Sequence, residues 1–334
     1  MFNFIDLFAG IGGIRIPFEE SGGRCVFSSE WDKFSQKTYQ ENFGEMPHGD
    51  ITKINPDDIP AHDLLLAGFP CQPFSQAGFK KGFEDTRGTL FFNIVNILNT
   101  HRPKAVLLEN VKRLASHDNG RTLCIIIETL ESLGYKVRYK ILAGKDFGIP
   151  QNRERIYIIG FIGDEVNFEF PLPTKEKTCV GHILEKNVDK KYTLSDRLWA
   201  GHQRRRKEHA IKGNGFGYSL FNAKSPYTNT ISARYYKDGS EILIEQKGKN
   251  PRKLAPREAA RLQGFPDSFK ISVSDNQAYK QFGNSVCVPV IRAVAQKMTP
   301  IILQLKQPKT IKKIEIRKIL IRNNISPLTV LAPS

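Results

Sequence analysis

From its second residue to about residue 163 the chain alternates short apolar runs with segments patterned as helices, and that alternation leaves few folds open. FNFIDLF reads as a buried strand, GGIRIPFEESG as a loop entering a helix, RCVFSS as a second strand and FSQKTYQENFG as a second helix. DLLLAG (63–68) and KAVLLEN (104–110) read as further strands flanking a helical LFFNIVNILNT, and YKVRYKILA and RIYIIGFIG as the last strands of the sheet. Parallel neighbours need crossover connections, which the intervening helices supply, so the pattern predicts an α/β fold with a doubly wound, mostly parallel sheet.

The alternation stops after PLPTKEK (171–177). Residues 1–175 are therefore expected to form the sheet domain, and 176–252 a smaller, mostly irregular and β domain. The smaller region is polar and basic, with RRR at 204–206 and ISARYYKDGSE at 231–241. Arg204, Arg205, Arg234, Tyr235, Tyr236 and Lys237 are its candidates for contacting phosphates and bases. Regular structure returns at LAPREAARLQGFPD, where Pro256 can start a helix and Gly264 end it, and a last helix is expected after Pro289. Residues 253–305 are read as rejoining the first domain, and 306–334 as a basic tail with a single acid, Glu315, among its cations up to Arg322.

A formal charge of +16 points to a polyanionic partner, most simply nucleic acid. No apolar run approaches the ~18 residues of a membrane span, and the N-terminus begins in a strand without a basic leader, so a cytoplasmic protein is expected. Five cysteines lie far apart without a C-x-x-C pair, which argues against disulfides and against a metal site.

Four stretches carry chemistry. DLFAGIGG (6–13) lies between a strand and a helix, where Gly10, Gly12 and Gly13 let the backbone turn tightly against a ligand. Glu30, at the end of the second strand, can accept both hydroxyls of a ribose, Trp31 can stack on an adenine, and Asp50, at the end of a third strand region, can accept from its amino group. The glycine spacing is not that of dinucleotide sites, and S-adenosyl-L-methionine, which lacks a pyrophosphate, fits better than NAD. GFPCQPFS (68–75) sets Cys71 between two prolines at the carboxyl edge of a strand, where ligands bind in such sheets. The alternative, a buried thiol serving as a small hydrophobe, is the reading for Cys25, Cys124, Cys179 and Cys287. LLENVKR places Glu109 at another strand end, where burial can raise its pKa and let it donate a proton, and GIPQNRERIYIIG puts Arg153 and Arg155 on one strand face.

Taken in order, FIDLFAGIGG, SEWDK, GDIT, GFPCQPFS, ENVK, QNRERIYIIG, LAPREAARLQGFPD and QFGNSV resemble the motifs of the DNA (cytosine-5) methyltransferases of bacterial restriction-modification systems. The resemblance implies a Rossmann-like methyltransferase whose 176–252 region is a target-recognition domain, and a QFGNSV segment that packs beside the glycine loop. It implies that Cys71 is the nucleophile toward carbon 6 of a flipped cytosine, that Glu109 engages N3, and that Arg155 and Arg153 steady the base and the active-site loop. Phe8, Gly10, Ile11, Gly13, Glu30, Trp31, Asp50, Ile51, Pro70, Leu90, Asn284 and Ser285 would form the S-adenosyl-L-methionine site. Double-stranded DNA would be the substrate of a monomer paired with a restriction endonuclease. TISARYYKDGSEILI is similar to recognition segments for CCGG or CCNGG sites.

Overall fold

The computed structural model describes residues 1–70, 89–163, 165–174, 176–215 and 217–306. Its main sheet has six strands: β1 (Phe2–Leu7), β2 (Gly23–Ser29), β3 (Leu64–Gly68), β4 (Ala105–Val111), β5 (Tyr135–Ala143) and β6 (Glu154–Ile162). Their order is β2-β1-β3-β4-β6-β5. The first four run parallel, and β6 lies antiparallel between β4 and β5. The β5-to-β6 connection holds only a short helical turn, Gly144–Phe147, too little chain for a crossover, and so β6 reverses.

Both faces of the sheet are covered, as a largely parallel sheet requires. Leu65, Ala67, Val106, Leu108, Ile156 and Ile158 pack on one side against α3 (Thr89–His101) and α4 (Arg121–Ser132), two helices that follow α1 (Arg15–Glu20) and α2 (Lys33–Phe43). Leu64, Leu66, Leu107, Tyr157 and Ile159 pack on the other, against α1 and the helix over Val288–Gln304. That helix is the last among the described residues, and it closes the core begun by β1.

Between these parts lie α5 (Asp196–Ile211) and a small sheet of β7 (Leu220–Phe221), β8 (Leu243–Gln246) and β9 (Lys249–Arg252). The 16-residue α5 was not expected from the sequence. Its run DRLWAGHQRRRKEHAI has no apolar stripe, and His202 is its only buried residue among those described, so hydrophobic periodicity had nothing to detect. The local signal was the cap: Ser195 Oγ accepts from the Leu198 amide at 3.3 Å.

The return segment follows the expected punctuation. In α6 (Pro256–Leu262) Pro256 occupies the first turn, Gly264 just beyond has φ +79°, and Pro289 begins α8 (Val288–Gln304) after α7 (Asp275–Asn284). Residues 275–304 are apolar enough by composition to span a membrane, yet they form two helices and the apolar window is 56% buried in the protein. A third core cluster joins Val180, Ile183, Ile231, Ile242 and Ile244 to Leu254, Ala259, Phe265, Tyr279 and Phe282. The region after residue 176 thus shares its core with the return segment.

Candidate active site

Strand order fixes where a ligand can sit. The chain leaves β1 toward β2 on one side and reaches β3 on the other, so the crevice between the carboxyl ends of β1 and β3 is the switch point of the sheet. The glycine loop follows β1, and Phe69 and Pro70 follow β3.

The loop is held in a left-handed course. Phe8, Gly10 and Gly12 have φ of +55°, +56° and +81°, and a side chain at Gly12 would overlap the Phe43 ring at 2.2 Å. Phe8 adopts without glycine's freedom a conformation that costs on the order of 1–3 kcal/mol, a strain found at ligand sites. Glu30 fixes the loop from β2: its two carboxylate oxygens accept from the Gly10 and Asp32 amides, each at 2.8 Å. Burial raises its pKa, and a carboxylate has capacity for further donors beyond those two. Trp31 beside it is 79% exposed and free to stack. Asp50 stands at this corner through the Glu30 amide on His48 O and the Ser29 hydroxyl on Gly49 O. The strand expected to end at Asp50 is not formed: a single bridge, Ser29 with His48, is followed by a helical turn that Asp50 caps through Thr52. Ile11 and Ile51 are buried in the core, while Leu90 is half-buried and Pro70 exposed.

The expected approach of QFGNSV to the glycine loop is present. A side chain on Gly13 would meet Ser285 Oγ at 2.7 Å and Val286 Cγ2 at 3.1 Å, and exposed Asn284 ends α7 next to them. The segment is also moored to α2, with Lys280 on Asp32 at 3.1 Å and Thr38 on Gln281 at 3.2 Å.

Sequence reading missed Asp6. Neither of its carboxylate oxygens has a hydrogen-bond partner, and burial pushes its pKa up to about 8 against the pull of Arg15. Its signal was a lone acid in the apolar strand FNFIDLF. A buried orphan carboxyl under a turned backbone, a glutamate held by two amides and an exposed tryptophan suit a ligand carrying polar groups and an aromatic ring.

Glu109 lies at the carboxyl end of β4, 9% exposed, with its pKa raised by burial against the opposing Arg155 and Arg153. Arg155 Nε contacts Glu109 Oε1 at 3.2 Å. Cys71 lies outside the described residues, but the chain leading to it is tied beside this carboxylate: the Asn110 side chain donates to Phe69 O at 2.9 Å, and a side chain added at Gly68 would fall 3.6 Å from Glu109 Oε2. Asn110 is a second residue that sequence reading did not single out. Arg153 is held differently. Although two residues from Arg155, it is 3% exposed, and its guanidinium donates to Ile231 O, Gly283 O and Ser285 O at 3.1, 3.0 and 2.6 Å. With its terminal nitrogens on backbone carbonyls it braces the frame around the site, while its buried Nε has no hydrogen-bond partner.

Between the two parts of the main domain, Arg204 and Arg205 stand on α5, their side chains 75% and 48% exposed, and each meets one carboxylate, Glu208 and Asp238. Arg234 and Lys237 are exposed and Tyr236 is half-buried. Tyr235, expected at the DNA, is instead fully buried: its hydroxyl donates to Ile242 O at 2.7 Å and accepts from the Leu254 amide at 2.7 Å. The aromatic ring was more valuable to the shared core than to the surface. Of the cysteines read as small buried hydrophobes, Cys25 and Cys287 are buried, with thiols pushed up to about 12 and 11, whereas Cys124 is exposed on α4 and Cys179 is half-buried.

The fold and sequence have close counterparts. A model of the C-5 cytosine-specific DNA methylase family matches residues 2–300. The chain is 66% identical over 302 residues to the Type II methyltransferase M.SsoII of Shigella sonnei, covering 89% of this chain and 80% of that protein. It is 62% identical to M.DsaV of Dactylococcopsis salina over 95% of this chain and 91% of that one, and 49% identical to M.HpaII of Haemophilus parainfluenzae over 89% of each. Among solved structures, the Entamoeba histolytica methyltransferase EhMeth superposes with a TM-score of 0.74 at 21% identity, over 90% of this chain and 98% of that one, which shows the shared fold. A sheet that opens a ligand crevice beside a buried glutamate, matched along nearly its whole described length, makes this chain a member of the C-5 cytosine-specific DNA methylases, a DNA cytosine-5 methyltransferase of the bacterial restriction-modification type.

Proposed function

We propose that the protein transfers the methyl group of S-adenosyl-L-methionine to carbon 5 of a cytosine turned out of a short site in double-stranded DNA, through a covalent adduct with Cys71. The observation that carries this reading is Glu109, a buried carboxyl with raised pKa beside Arg155, one strand away from the residues that lead into Cys71. Glu30, Trp31 and Asp50 would hold the ribose and adenine, Phe8 through Gly13 would pass along the methionine, and Pro70, Leu90, Asn284 and Ser285 would border it. Bound there, the cofactor supplies an electrophilic methyl group on a sulfonium.

Carbon 5 of cytosine is a poor nucleophile, which sets the work of the protein. The Cys71 thiolate adds to carbon 6, forming a C–S bond and breaking the 5,6 double bond, while Glu109 gives its proton to N3 as charge develops there. Carbon 5, now enamine-like, takes the methyl group. Loss of the carbon 5 proton to a base, expulsion of the thiolate and return of the N3 proton to Glu109 restore the aromatic ring and the enzyme. Burial serves Glu109 in this role, because raising its pKa makes the carboxyl a readier source of the proton. The base must leave the stack, at a cost of a few kcal/mol, and contacts from the recognition region would offset that cost.

Arg204, Arg205, Arg234, Tyr236 and Lys237 are the exposed or partly exposed side chains proposed for DNA, acting on a site of CCGG or CCNGG type. The protein would act as a monomer in the cytoplasm, protecting host DNA against a paired endonuclease. Residues 307–334, outside the described set, are proposed as a non-specific DNA contact; truncation at residue 305 should lower affinity and flatten its salt dependence. The direct test is a duplex containing 5-fluorocytosine at the target position, which blocks the final proton loss. A denaturation-resistant protein–DNA adduct that requires cofactor and Cys71 is expected, and its failure to form would overturn the covalent mechanism.

A further inference from the structure

Three pieces of chain meet at one buried joint behind the site: residues 228–233 of the recognition region, 262–263 after α6, and 281–286 beside the glycine loop. Gln151, Arg153 and Gln263 are 0%, 3% and 0% exposed and fill the joint with polar groups. Gln151 accepts from the Ile231 amide at 3.0 Å and donates to Leu262 O at 2.9 Å and Gln263 Oε1 at 3.0 Å. Gln263 in turn donates to Phe282 O at 2.6 Å. Arg153 spans the same gap, from Ile231 O on the recognition side to Gly283 O and Ser285 O on the cofactor side. The two sides also touch directly: a side chain on Gly283 would fall 2.3 Å from the backbone of Ser232.

On the reading of function above, one side of this joint carries Arg234, Tyr236 and Lys237, offered to DNA, and the other carries Asn284 and Ser285, offered to the cofactor. We infer that Arg153 is a positioning residue that couples target readout to cofactor binding, so that engagement of the correct DNA site tightens the cofactor pocket. The physical basis is rigidity. A guanidinium presents its donors in a fixed plane, and the carbonyls it holds on either side cannot shift independently without stranding a buried cation. Ser232 transmits from the recognition side, since its hydroxyl donates to Glu241 at 2.7 Å and accepts from the Arg234 amide at 3.1 Å. By linkage, whatever DNA does to cofactor affinity the cofactor does to DNA affinity.

The test measures binding of S-adenosylhomocysteine by calorimetry, alone, with a duplex carrying the sequence that the protein methylates, and with a scrambled duplex. The quantity read is the ratio of the affinities with and without the methylated sequence. The wild-type ratio should be about 5-fold or more, in the usual range for coupled sites. In Arg153→Lys, where a single ammonium cannot span both sides, it should fall to about 1. A merely structural arginine would weaken both affinities in parallel and leave the ratio intact, and that result would overturn the inference. Glu241→Ala loosens the Ser232 turn from the recognition side and provides the second variant. Should Arg153→Lys fail to fold, a reduced ratio in Glu241→Ala supports the coupling and an unchanged one overturns it. A wild type that binds both ligands without coupling defeats this inference alone, whereas one that binds neither defeats the proposed function.

Discussion

The cofactor corner and the recognition face are built by opposite means. At the cofactor corner the backbone does the shaping: Phe8, Gly10 and Gly12 in left-handed conformations, Glu30 fastened to two amides, and Gly13 against Ser285. On the face proposed for recognition the backbone is a support, a polar helix and three short strands, and the groups proposed to read DNA are side chains that project from it. A site made of backbone leaves glycines and short motifs in the sequence. A site made of projecting side chains leaves only composition.

The comparison can be broken by substitutions on each side, and the largest effects belong to the chemistry between them. Cys71→Ser should abolish methylation while cofactor and DNA binding persist; measurable turnover in a radiolabelled methyl-transfer assay would remove Cys71 as the nucleophile. Glu109→Gln should lower kcat by about 10²–10⁴-fold, the usual worth of a positioned proton donor, with a smaller change in KM. Next comes a pH effect at the cofactor corner. With its pKa pushed up to about 8, Asp6 keeps its proton in the folded state while the unfolded chain ionises near pH 4. It therefore withdraws stability as pH rises through that window, and wild type should lose on the order of a few kcal/mol relative to Asp6→Asn between pH 5 and pH 8 in urea melts. A constant difference would show that Asp6 does not titrate there. Trp31→Ala should weaken cofactor binding by ~1–3 kcal/mol with DNA affinity unchanged, as calorimetry would read. The smallest effects are expected on the recognition face, where Arg204→Ala and Arg205→Ala should each lower the salt slope of DNA binding by about 0.9. Unchanged slopes would move the phosphate contacts elsewhere.

The same contrast explains what the sequence revealed. The four parallel strands, the helices on both faces and the Pro256 and Gly264 punctuation of the return segment were legible, because periodicity and turn chemistry are local. Glu109 beside Arg155 was legible because strand ends in such a sheet face one crevice. The bracing contacts of Arg153 were not legible for a reason that local pattern cannot supply: its acceptors, Ile231, Gly283 and Ser285, lie far away in the chain. Tyr235 was misread, because only the packing of Tyr279 and Leu254 makes it core. Helix α5 escaped because a helix without an apolar stripe has no period to read.

The central claim is methylation of cytosine carbon 5 at a specific DNA site. The most direct measurement incubates the purified protein and S-adenosyl-L-methionine with unmethylated genomic DNA and a pool of transfer RNA, then maps 5-methylcytosine in both by bisulfite sequencing. The account predicts methylation at one short motif in the DNA, which would reveal the target at the same time. Marks confined to RNA, or none in either, would contradict it.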